Sequence, residues 1–160
     1  RSLVLLGSRL GAEPEATHRH YAGLLDAIEA AGRVTPSLAR AIVPLFFRVG
    51  TDMDAAHPAA FARCLASMST DRLRDSIIPL GRLLLARRDA PGRLAALDPA
   101  TTLMMCGDGD TACPPGGMQD LAHSLGCDAV LVPAAGHLSN LDNPEAVNHH
   151  LQRWLERTLR

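Results

Sequence analysis

Aromatic side chains are scarce: one Trp, one Tyr and three Phe make up 3% of the 160 residues. So few rings give no stacking platform for single-stranded nucleic acid. An excess of charge is also missing. The formal net charge is −1, so there is neither a basic footprint for a nucleic-acid backbone nor an acidic tail. Long apolar runs are absent too. The best candidate, Ile77 to Leu85, is short and broken by Pro79 and Arg82, which argues against a membrane partner. The four cysteines, Cys64, Cys106, Cys113 and Cys127, include no C-x-x-C pair. With no Cys/His cluster at zinc spacing, no metal site is expected, and the thiols read as reduced core residues of a cytoplasmic protein. Arg1 to Leu6 shows no charged leader followed by a cleavage site. It also lacks an initiator Met and already reads as a buried strand. We therefore expect a fragment of a longer protein.

Hydrophobic residues supply 47% of the chain, enough for a core. Leu3-Val4-Leu5-Leu6 is continuously apolar and closes at Gly7-Ser8, as in a strand of a parallel sheet covered on both faces. Helical spacing follows through Tyr21, Leu24, Leu25 and Ile28, and Gly32 ends it. Thr35-Pro36 is a cap with Pro at the first helical position. Pro58 opens a third helix and Thr70-Asp71 caps a fourth, in which Pro79 should kink or divide the pattern. The helical block, Pro14 to Arg88, stops at the turn Asp89-Ala90-Pro91-Gly92. Thr101 to Cys106 and Ala129 to Val132 then read as two more buried strands. Helices are expected over 117–125 and from Pro144, the latter amphipathic through Val147, Leu151, Trp154 and Leu155. Strands alternating with helices imply an α/β fold with a parallel sheet, whose chemistry gathers at the carboxyl ends of the strands.

Two strand ends are unusually polar: Gly107-Asp108-Gly109-Asp110 and Ala134-Ala135-Gly136-His137. An acid after one strand and a histidine after the next can lie side by side. The carboxylate then fixes the imidazole tautomer, and the other ring nitrogen can take a proton from a hydroxyl.

These residues resemble a family. Gly107 to Pro115 is similar to the G-x-x-D-x-x-x-P-P turn of α/β-hydrolases. Ala135-Gly136-His137-Leu138, followed by Asn143 to Asn148, resembles their histidine loop and final helix. Ala86 to Asp89 with Leu94 and Leu97 resembles the approach to the acid-bearing strand, and Leu3 to Arg9 the strand that enters the cap. The resemblance implies the C-terminal portion of an α/β-hydrolase fold with a helical cap. Residues 1–11 would form a core strand and turn, 12–92 the cap region and 93–160 the C-terminal part of the core. It places the catalytic acid on Asp110 and the histidine on His137, with Asp108 as the competing acid. The implied activity is that of an esterase, enol-lactonase or similar acyl hydrolase with a Ser-His-Asp triad, a small-molecule substrate and no cofactor.

No G-x-S-x-G elbow occurs in the chain. Ser8, in Gly7-Ser8-Arg9-Leu10-Gly11, sits one position too early. The nucleophile is expected on a missing N-terminal half of the core, and the chain alone is expected to be inactive. Three other readings stay open: a non-catalytic binding protein on this scaffold, a dehalogenase with an Asp nucleophile, and a small independent structural domain. His18, His20, His57, His123, His149 and His150 read as surface residues. Tyr21, Phe46, Phe47 and Phe61 read first as packing within the helical block, with a substrate-pocket lining beneath the cap as the alternative.

Overall fold

The structure, a computed structural model, describes residues 2–88 and 96–158. The expected turn at 89–92 lies outside them. The chain divides into two compact units, each described by itself. One contains Arg1–Arg9, Leu45–Thr51 and Ala90–Arg160; the other contains Leu10–Pro44 and Asp52–Asp89.

The first unit is built on three parallel strands in the order β1 (Leu3–Leu6), β2 (Thr102–Gly107), β3 (Asp128–Val132). Leu5 pairs with Met104, and Met105 with Val130. Every residue of β2 is buried, which accounts for its unbroken apolar run. Met104 and Met105 each contribute roughly 2 kcal/mol by leaving water. β3 departs from the expected buried strand: Asp128, Ala129 and Leu131 are exposed and only Val132 is fully buried. Among the described residues it pairs with β2 alone, at the margin of the sheet.

A helix (Pro115–Leu125) connects β2 to β3, and a long one (Pro144–Thr158) follows β3. The long helix sets Val147, Leu151 and Trp154 against Leu103, Met105, Val132 and Ala135. Leu155 lies at the margin of that stripe and stays exposed. The segment Leu45–Thr51 joins this unit although it interrupts the helical block in sequence. It carries Phe47, which is fully buried, and Phe46.

The second unit is helical. α1 (Glu15–Ala31) ends on Gly32 in the left-handed region, φ 63°. α2 (Pro36–Ile42) is capped by the Thr35 hydroxyl, which accepts from Leu38 N at 3.3 Å. α3 covers Ala56–Ala66. The next stretch is capped by Ser69 rather than Thr70; Ser69 Oγ accepts from Arg72 N at 3.2 Å. The Thr70 hydroxyl instead donates to Gly32 O at 2.8 Å. One helical turn (Thr70–Arg72) widens to a π turn (Leu73–Ile77) before a regular helix (Ile78–Leu85) resumes. Pro79 has no N–H, and its ring would clash with the carbonyl four residues back. A locally wider helix relieves both problems. Ile28, Val34, Ala39, Leu73 and Ile78 form the core of this unit. Gly81 lets the last helix approach α1: a Cβ there would lie 2.9 Å from Leu25. No described helix is long and apolar enough to cross a membrane.

Candidate functional site

The polar ends of β2 and β3 are stitched together by their backbones. Asp108 N donates to Val132 O at 2.9 Å and Gly109 N to Ala135 O at 2.9 Å. The approach is so close that a Cβ on Gly107 would lie 2.2 Å from Gly136 O. Gly136 is equally constrained, since its Cβ would meet Arg48 N at 2.4 Å. Small residues at these two points are what allow the acid turn and the histidine turn to touch.

Asp110 and His137 meet there. Asp110 Oδ2 lies 3.0 Å from His137 Nδ1. The acid is buried, while the His137 side chain keeps 24% of its surface. Oδ1 of Asp110 accepts from Cys113 N at 2.8 Å. The Cys106 thiol stands 3.7 Å from Oδ2 and also donates to Cys113 O at 3.2 Å. An ionised carboxylate only accepts, so Nδ1 of His137 carries a proton. The hydrogen bond to Asp110 is the main reason that the imidazole pKa is pushed up to about 10; the Cys113 side chain adds to it and burial opposes it. Burial, helped by the Asp110 charge, pushes the Cys106 thiol up to about 12.

The histidine loop is held from several sides. Gly136 N donates to Asp142 Oδ2 at 2.7 Å, and Leu138 N to Phe46 O at 3.0 Å. The Phe46 ring meets the imidazole edge-on at 5.6 Å. Gly7, at φ 55°, passes close enough that a Cβ there would lie 3.2 Å from His137 Nδ1. Ser8, one residue on, donates to Leu6 O at 3.2 Å.

Asp108 takes a different place from Asp110. Its Oδ1 accepts from Ala135 N at 3.2 Å and pairs with Arg48 Nε at 3.6 Å. It therefore braces the loop that carries the histidine. His18, His20, His57, His123 and His149 are exposed, and His150 is half-buried. The cysteines are less uniform than expected: Cys106 is buried, Cys113 and Cys127 are half-buried and Cys64 is exposed.

Sequence reasoning missed Cys106 and Cys113 as neighbours of the acid. Linear spacing also gave no metal site, yet Asp110, Cys113 and His137 come together as a group of three possible ligands. The available signal was the position of Cys113 three residues after Asp110, where a turn aspartate caps a backbone N–H.

Solved structures share this arrangement of elements. An esterase from Thermogutta terrifontis superposes with a TM-score of 0.76 at 21% identity, over 96% of this chain and 55% of its own. MGS-M2, an α/β-hydrolase from a Medee basin deep-sea metagenome library, gives 0.76 at 16% identity, over 99% and 57%. The carbazole-degradation serine hydrolase CarC gives 0.65 at 17% identity, over 99% and 54%. No protein-family model and no curated protein matches the chain. The fold is thus that of the C-terminal portion of α/β-hydrolases, and the chain spans about 55% of the length of the solved structures it matches.

Proposed function

We propose that this chain supplies the acid and the histidine of an α/β-hydrolase acting on an ester, lactone or similar acyl substrate. The observation that carries the reading is the 3.0 Å contact of Asp110 Oδ2 with His137 Nδ1 at the ends of two adjacent parallel strands. The partner is an N-terminal part of the same core, bearing a serine on a strand-to-helix elbow. That serine attacks the acyl carbonyl. The neutral ring of His137 takes its proton and later returns it to the leaving group, while Asp110 orients the ring and stabilises the imidazolium, so turnover rises with pH toward the raised His137 pKa. The helical unit is the cap region in this reading, and the free thiols fit a reducing, cytoplasmic setting.

The test is the full-length protein encoded by the gene, assayed on a panel of nitrophenyl esters and lactones with a fluorophosphonate label for the serine. Turnover should fall by about 10³–10⁴ in Asp110→Asn, in which the ring tautomer is mis-set, and at least as far in His137→Ala. Unchanged rates in both variants, or a full-length protein without a labelled serine, would sink the reading. An aspartate at the elbow would redirect it to dehalogenation.

A further inference from the structure

Cys113 has no part in the proposed hydrolysis, yet it closes the acid turn. Its backbone N–H holds Asp110 Oδ1 at 2.8 Å, and its side chain meets His137. Asp110, Cys113 and His137 each offer one donor atom within 4.8 Å of the others. Around a tetrahedral zinc ion, donor atoms sit roughly 3.3–3.8 Å apart, given metal–ligand bonds of about 2.0–2.3 Å. A small inward movement of the half-exposed thiol and imidazole would therefore form the cage. The donor types also suit the ion. A thiolate and a carboxylate neutralise two positive charges, and thiolate with imidazole favours zinc over the hard cations calcium and magnesium. The carboxylate is already fixed by the turn backbone, while Cys113 and His137 keep part of their surfaces open to an arriving ion.

We propose that Asp110, Cys113 and His137 bind a zinc-class divalent cation, with water in the fourth position. The captured imidazole could then no longer serve in proton transfer. Taken through Nδ1 it loses its bond to Asp110; taken through Nε2 it loses the lone pair that accepts the proton. The site is thus an inhibitory metal switch on the histidine. That consequence for turnover rests on the hydrolytic reading, whereas the binding does not.

Cobalt(II) titration of the chain tests the binding directly. A near-ultraviolet thiolate-to-cobalt charge-transfer band should saturate at one equivalent. It should persist in Cys64→Ser and in Cys127→Ser and vanish in Cys113→Ser. Asp110→Asn should weaken binding by at least about tenfold, since losses of roughly 10–100-fold follow even when an outer-shell partner of a metal site is removed. In the unmodified chain, zinc should slow iodoacetamide alkylation of Cys113, followed by peptide mass, while leaving Cys64 unaffected. A band that survives Cys113→Ser, no band at all, or an unchanged Cys113 alkylation rate overturns the proposal. Zinc binding in a full-length protein without esterase activity would refute the hydrolase reading and leave the metal site standing. Esterase activity without zinc binding would do the reverse.

Discussion

Replacing Asp110 by Asn removes the charge that faces His137 and changes little else in shape. In the native chain the imidazole pKa is raised from 6.5 to about 10, first by Asp110 and then by Cys113. The folded state therefore holds the His137 proton more tightly than the unfolded state. This contribution to stability is fully present below pH 6.5 and is lost as pH rises through 10. The whole displacement corresponds to about 5 kcal/mol. Cys113 carries part of it, and a ring with 24% of its surface in water is partly screened, so the share of Asp110 is about 2–3 kcal/mol. Urea unfolding between pH 6 and pH 10 measures this. The native chain should lose about 2–3 kcal/mol more across the window than Asp110→Asn, whose profile is flatter. The Cys106 thiol, with its pKa pushed to about 12, also destabilises the fold as alkali ionises the unfolded thiol. Its main cause is burial, which the variant keeps, so the difference between the two profiles is read below pH 9, before the unfolded thiol ionises. Imidazole NMR gives the same quantity directly, with His137 titrating far above its ordinary range only when Asp110 is present. Parallel unfolding profiles, or a His137 that titrates near 6.5 in the native chain, would refute the argument.

Three further outcomes are expected. Gly107→Ala forces a Cβ to within 2.2 Å of Gly136 O, where the neighbour is backbone and cannot rotate away. The chain should lose about 3 kcal/mol or more by urea denaturation, and a loss under about 1 kcal/mol would refute the close approach. Asp108→Asn removes the Arg48 pair but leaves Asp110 Oδ2 beside the ring. His137 should keep its raised titration by NMR, and a fall to the ordinary range would mean that the two acids have been interchanged. The Ser139 hydroxyl is fully buried and finds no hydrogen-bond partner among the described residues. Ser139→Ala should leave stability unchanged or raise it by up to about 1 kcal/mol, and a clear loss in thermal unfolding would reveal a missed partner.

Much of the fold was legible because the central strand is covered on both faces: the run Thr102 to Cys106 has no polar interruption to hide it. The Gly32 stop and the Thr35-Pro36 start were legible because their cause is local, a left-handed glycine and a hydroxyl that reaches one turn ahead. β3 was misjudged because an apolar run does not reveal how many neighbours a strand has. The cap at Ser69 was misplaced by one residue because Thr70 is an equally good cap chemically; its hydroxyl is drawn to Gly32 O, a partner 38 residues away. Phe46 and Phe47 were grouped with the helices around them, whereas long-range packing places them with the sheet. The motifs named Asp110 and His137. The surrounding thiols stayed hidden because Cys106 reaches the acid from inside the strand and Cys113 from the far side of its turn.

Asp110 is gripped by groups other than the histidine. Cys113 N holds one oxygen, the Cys106 thiol approaches the other, and Asp110 N is tied back to Gly107 O. The carboxylate does not need His137 to keep its orientation. In the proposed hydrolysis, a proton arriving on the imidazole would leave the acid no rotation to make and no water to shed, so the reorganisation energy of the transfer would be small. That energy was supplied when the turn folded. An open, solvated aspartate at the same distance would have to supply it in every catalytic cycle.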